Sequence, residues 1–158
     1  MMIYIDMDGV LAKWQKATYD EMIKPGFFLG RERERIIVSL VKTLIAIGCN
    51  VCILSAVLNE KCAKEKSIWL DNIFGKDLNR IFVPDGSNKA DYIIGGKSIL
   101  IDDYTKNLKA WKDSGNIPIK FYNGINGTKG TYNGASIHKN MSVGAMIEII
   151  AEAVNQAA

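Results

Sequence analysis

Short apolar runs recur along the chain at 2–6, 50–55, 80–83, 98–102 and 117–121, and the segments between them mostly carry helical spacing. Runs of this length bounded by turn residues read as buried strands, and their alternation with helices predicts a parallel sheet with crossover connections. Helices are expected at 33–47, 59–73, 104–114 and 142–154. In the last, Val143, Met146, Ile147, Ile150 and Val154 share one face, and Gly115 is a natural stop for the third. From Ile36 to Leu58 the only charged residue is Lys42, and the stretch is long enough to span a bilayer. Its pattern points elsewhere. Ile36, Ile37, Leu40, Val41, Leu44 and Ile45 follow helical spacing, Gly48 and Asn50 punctuate, and Val51-Cys52-Ile53-Leu54 reads as a strand. No membrane span is expected.

A chain of 158 residues accommodates a single domain with a sizeable core, so one domain over 1–158 is expected. Its 48% hydrophobic and 23% charged residues are ordinary for a globular protein, and a net charge of +3 gives no indication of nucleic-acid binding. Cys49, Cys52 and Cys62 lack metal-ligand spacing and read as reduced, buried thiols. Asp6 and Asp8 interrupt the N-terminal apolar run, which gives no secretory pattern, so a cytoplasmic location is expected. The single histidine, His138, has no partner motif and reads as a surface residue.

Chemistry concentrates where the strand candidates end. Asp6-Met7-Asp8-Gly9-Val10 follows the first, and side chains at i and i+2 on a strand share one face, so both acids can address one bound group. At the carboxyl end of a parallel strand such a pair suits a nucleophile and a general acid. The second strand ends in Ser55, either a holder of a phosphate oxygen or a plain strand-end serine. After the third comes Ser87-Asn88-Lys89-Ala90-Asp91, where Lys89 is either a counter-charge or simply solvated. The fourth ends Ile101-Asp102-Asp103, an acidic pair able to ligate a hard cation or to cap the next helix.

Taken in order, DMDGV, LS, NK and LIDD resemble the four signature motifs of the haloacid dehalogenase (HAD) superfamily. The resemblance implies a Rossmann-like three-layer α/β/α fold, with a central parallel sheet and a small cap inserted after the first strand. It implies a Mg²⁺-dependent phosphomonoesterase in which Asp6 is the nucleophile, Asp8 the acid and base, and Ser55 and Lys89 the holders of the phosphoryl group. Magnesium would be held by Asp6, the backbone carbonyl of Asp8, and Asp102, with Asp103 binding through water or orienting its neighbours. Asp8 favours phosphate esters over carbon–halogen bonds, because an alkoxide leaving group needs a proton.

The interval between Asp6 and the helix at 33–47 leaves about residues 12–32 for a cap, with a helix from Lys13 to Ile23 and a loop from Lys24 to Gly30. The continuation to Trp14 and the stretch Lys24-Pro25-Gly26-Phe27-Phe28 resemble the 5'(3')-deoxyribonucleotidase branch, which dephosphorylates nucleoside monophosphates. Trp14, Phe27 and Phe28 either stack on a base or pack the cap against the core. A sugar phosphate or other small phosphate ester is the alternative substrate, and a non-catalytic HAD-fold binding module is a third reading. The short insertion departs from the mammalian-type pattern, as does Ala56 after Ser55. It leaves a site open to larger substrates, such as a phosphorylated nucleic-acid end, or closed by a second subunit of a homo-oligomer. Residues 122–136, with Asn-Gly pairs at 123, 126 and 133, read as a surface loop or small hairpin, or as a lid over the site.

Overall fold

The computed structural model describes residues 1–126 and 132–157. Six strands form one sheet: β1 Met2–Ile5, β2 Asn50–Val57, β3 Asn79–Pro84, β4 Ser98–Asp102, β5 Ile117–Tyr122 and β6 Ser136–His138. Their order is β3-β2-β1-β4-β5-β6, and every neighbouring pair is parallel. Strand β1 lies between β2 and β4 with Ile5 opposite Ile53 and Ile101, so the strand ends that carry chemistry finish side by side. The chain runs from β1 outward to β3 and then returns to β4 on the other side of β1. This reversal makes the gap between β1 and β4 the switch point where open α/β sheets bind ligands.

The helices are α1 Tyr19–Met22, α2 Arg35–Ala46, α3 Glu60–Phe74, α4 Thr105–Asp113 and α5 Val143–Gln156. Alternation along the strands assigns the two layers. Ile3, Ile5, Ile53 and Ile101 pack into one core with Leu40 and Leu44 of α2, Trp69 and Leu70 of α3, and Met146 and Ile150 of α5. Tyr4, Cys52, Leu54 and Leu100 face the other way, against Leu108 and Trp111 of α4. Tyr4 and Trp111 meet edge to face at 5.3 Å. The result is the three-layer α/β/α architecture expected from the sequence, with the stretch from Ile36 to Leu58 divided between α2 and β2. Among the described residues no helix is long and apolar enough to cross a membrane.

The structure departs from the sequence reading in two places. Strand β6 was not anticipated, because three residues with one apolar side chain give no periodic signal. It lies parallel to β5, so these two strands do not form a hairpin with each other; residues 127–131 of the expected 122–136 loop lie outside the described residues. The helix expected from Lys13 to Ile23 shrinks to the single turn α1. A capping box between Thr18 and Glu21 starts that turn only at Tyr19, and Pro25 and Gly26 follow directly.

Helix α3 holds this insertion in place. The buried Glu65 carboxylate accepts the N–H groups of Gly26 at 2.7 Å and Phe28 at 3.1 Å. Lys61 donates to the Ile23 carbonyl, and the Trp69 indole to that of Arg31, each at 2.8 Å. Residues 61, 65 and 69 recur every four positions, so one face of one helix anchors backbone that has little regular structure of its own. The three cysteines are free, as expected, with Cys52 and Cys62 buried and Cys49 half-buried; burial pushes the Cys52 thiol up to about 11.

Candidate active site

Asp6 is the first residue beyond β1, and its N–H donates to the Ile101 carbonyl at 3.0 Å, which ties it to the end of β4. Asp102 ends β4 and Asp103 follows. One carboxylate oxygen from each of the three lies within 4.8 Å of the others, and all three residues are buried. Lys89, on a 3₁₀ turn at Lys89–Tyr92, reaches Asp6 Oδ1 at 2.7 Å and Asp102 Oδ2 at 2.8 Å. The sequence reading expected these residues to converge, and they do.

The charge balance explains why a cation belongs here. Burial raises Asp6 to about 8, against the pull of Lys89, and the charges of Asp102, Asp8 and Asp103 add to the rise. Burial raises Asp103 to about 6, with Asp102 adding to the rise and hydrogen bonds from Asn126 and Asn123 opposing it. For Lys89 burial works against the charge, but Asp102 and Asp6 together carry it above the usual lysine range. Lys89 pairs directly with two of the three buried carboxylates and Lys120 reaches only the Asp103 backbone carbonyl, so with all three ionised the cluster carries excess negative charge. Oxygen-only donors at this spacing fit a hard divalent ion such as Mg²⁺.

Several neighbours fix the carboxylates. Asp102 Oδ1 accepts the Tyr104 N–H at 2.7 Å, and its Oδ2 accepts the Asn107 side-chain amide at 2.9 Å; α4 starts after Tyr104 without a side-chain cap, so Asp102 does not play the capping role that was its alternative reading. Asp103 Oδ2 accepts Asn123 at 2.8 Å and Asn126 at 2.6 Å, while buried Lys120 donates to the Asp103 carbonyl. Asn123 also donates to the Gly9 carbonyl at 2.8 Å, joining the loop after β5 to the loop after β1. Gly9 has φ +80°, and a Cβ there would lie 2.2 Å from Asp103 Oδ2. Gly9→Ala is therefore expected to displace the Asp103 carboxylate and weaken Mg²⁺ binding by at least about tenfold in a calorimetric titration.

Asp8 stands apart from this cluster. Its Oδ2 is held by Lys66 of α3, while its Oδ1 is buried and meets no donor among the described residues. The Lys66 ammonium also donates to Ser55 Oγ at 3.1 Å and to the Ala56 carbonyl at 2.6 Å. Ser55 is fully buried within β2, two residues before its end at Val57, and is linked to the site through this lysine, away from the position expected of a phosphate holder. Lys66 was missed by the sequence reading. The available signal was its register: with Cys62, Trp69, Leu70 and Ile73, the charged pair Glu65-Lys66 falls on the buried stripe of α3.

An open cavity of about 630 Å³ lies over the carboxylates, within the range of small-molecule sites. Asp6, Asp8, Lys66 and Lys89 line its floor, Trp14 and Phe28 one part of its wall, and Tyr104, Lys106 and Asn107 of the α4 start another. The three aromatic candidates separate here. Trp14 reaches the cavity, and so does Phe28, although Phe28 is almost fully buried with the Lys66 ammonium 4.5 Å from its ring centroid. Phe27 faces a different surface depression, under the guanidinium of Arg31 at 4.1 Å. Tyr104 is 54% exposed and was not anticipated. His138 is exposed, as expected, and stacks on Tyr122 at 4.7 Å.

Neither a protein-family model nor a curated protein sequence matches the chain. Solved structures do. The D,D-heptose 1,7-bisphosphate phosphatase of Burkholderia thailandensis superposes with a TM-score of 0.67 at 10% identity, covering 95% of this chain and 98% of that one. The enzyme of the same name from B. bronchiseptica, solved with magnesium and phosphate, gives 0.64 at 14% identity, over 96% and 98%. The chain has the HAD fold. At such identities the likeness establishes the fold and no more.

Proposed function

We propose that the chain is a Mg²⁺-dependent phosphomonoesterase acting through an aspartyl-phosphate on Asp6. The observation that carries this reading is the convergence of Asp6, Lys89, Asp102 and Asp103 beneath an open cavity, with Asp8 beside them. Asp6, Asp102 and Asp103 would hold the ion, together with the Asp8 carbonyl, and the ion would offset phosphate charge and polarise the phosphoryl oxygens. Lys89 holds Asp6 Oδ1 and orients the attacking carboxylate. As the bond from Asp6 to phosphorus forms, the ester P–O bond breaks and the leaving oxygen takes a proton from Asp8. Water then attacks the acyl phosphate, Asp8 takes the water's proton, and phosphate leaves as the Asp6 carboxylate is restored.

The substrate is a small phosphate ester, and a nucleoside monophosphate is the reading favoured by Trp14 and Tyr104 on the cavity wall, where each offers a stacking surface. A sugar phosphate is the second reading, favoured by the fold shared with two sugar bisphosphate phosphatases. The insertion at 12–32 serves in either case as a fixed minimal cap. Phosphate release from a panel of nucleoside monophosphates and sugar phosphates, with Mg²⁺ or with EDTA, tests this reading. Release that needs the metal and is fastest with nucleotides is expected. Metal-independent turnover would overturn the mechanism, and preference for a sugar phosphate would overturn the nucleotide reading alone.

A further inference from the structure

Lys66 is a fully buried ammonium whose three protons all have acceptors: Asp8 Oδ2, Ser55 Oγ and the Ala56 carbonyl. No proton remains to greet an incoming phosphate without breaking one of these bonds. A lysine placed to bind substrate would present a free donor to the cavity, whereas this one is spent on the end of β2 and on a single oxygen of Asp8. The other oxygen, Oδ1, is buried and without a donor among the described residues. Lys66 thus fixes the acid through one of its oxygens and ties it to the end of β2.

We infer that Lys66 is the positioning residue of the proposed reaction, clamping Asp8 by Oδ2 so that its carboxyl group is held in one orientation for proton transfer. The inference rests on the phosphomonoesterase reading. In the first step Asp8 delivers a proton to the ester oxygen as the bond from that oxygen to phosphorus breaks and the Asp6–phosphorus bond forms. Rotation of the carboxylate about χ2 would exchange the two oxygens and scatter the donor's direction, and the clamp removes that freedom. The neighbour Glu65 anchors Gly26 and Phe28, and the Phe28 ring covers the Lys66 ammonium. One turn of α3 therefore fixes both the insertion and the acid.

The test compares kcat/KM for two esters with Mg²⁺ present: glycerol 2-phosphate, whose alkoxide must be protonated, and p-nitrophenyl phosphate, whose phenolate leaves without help. For both esters kcat/KM covers only the steps up to the aspartyl-phosphate, so later hydrolysis does not blur the comparison. Lys66→Met is expected to lower kcat/KM for the alkyl ester by about 10²-fold, the low end of general-acid effects, and for the aryl ester by no more than about fivefold. On an Asp8→Asn background the same substitution should add almost nothing, since the residue it positions is already disabled. Equal losses for the two esters would assign Lys66 to phosphate binding or to the core and overturn the inference, as would no loss. If Lys66→Met does not fold, Lys66→Gln is read by the same ratio, and collapse of both overturns the inference in favour of a structural role. Wild-type protein that cleaves neither ester removes the phosphomonoesterase reading and this one with it. Wild-type turnover with an unchanged ratio removes only the role of Lys66.

Discussion

Asp6→Asn is expected to abolish phosphate release and, in the same protein, to raise its thermal stability in EDTA at pH 8. The loss of activity follows from removing the attacking oxygen, and a decrease of at least about 10³-fold in kcat is anticipated. The gain in stability follows from the electrostatics. Asp6 in the folded chain is raised from 3.8 to about 8, chiefly by burial. The folded state thus binds that proton more tightly than the unfolded chain, so the contribution of Asp6 is most favourable below about pH 4. It is lost as pH rises toward about 8. Asparagine carries no charge to desolvate, although it gives up the ion pair with Lys89, which keeps Asp102. A net gain of about 2 kcal/mol would lift Tm by roughly 4–8 °C for a chain of this size. The gain should shrink toward zero near pH 4, and a destabilised Asp6→Asn at pH 8 would refute the account of the buried charge.

Mg²⁺ is expected to stabilise the wild type far more at pH 8 than at pH 6. The ion needs ionised Asp6 and Asp103, which titrate near about 8 and about 6 in its absence. Two pH units below its midpoint, Asp6 is about 99% protonated, so apparent affinity should fall roughly 10²-fold between pH 8 and pH 6. Binding stabilises the fold by RT ln(1 + [L]/Kd), so the lost affinity shows directly as a smaller rise in Tm. Calorimetry near pH 7 should register about one proton released per ion bound. Asp6→Asn and Asp103→Asn should each flatten the pH dependence. Equal Mg²⁺ affinity at pH 6 and pH 8 would show that the ion does not bind among these carboxylates.

Much of the site was legible because its main residues belong to local patterns. Asp6, Asp102 and Asp103 each terminate or follow an apolar run that reads as a buried strand, and parallel packing brings such ends together. Lys89 lies on the connection into β4 and is carried to the same end. The residues that were missed act at a distance. Lys66 meets Asp8 across 58 positions and Asn123 meets Gly9 across 114, so no local window contains both partners. Phe27 and Phe28 are adjacent in sequence, yet only Phe28 lines the cavity; Phe27 lines a different depression under Arg31, edge-on to Trp14 and Phe28. A segment with so little regular structure has no periodicity from which its facing could be read.

The sequence by itself determined the alternation of strands and helices, and so the α/β architecture, and which strand ends carry acids and in what order, because burial periodicity and chain connectivity are local and additive. The tertiary structure alone decided how the charges balance: which carboxylates share Lys89, which one is clamped by Lys66, and which aromatic side chains border the cavity. Those outcomes depend on distances of a few ångströms between segments far apart in the chain, in an interior where each unpaired charge is costly. Lys66 shows the difference most plainly. In the sequence it is one lysine of a helix, and in the fold it is the partner of Asp8.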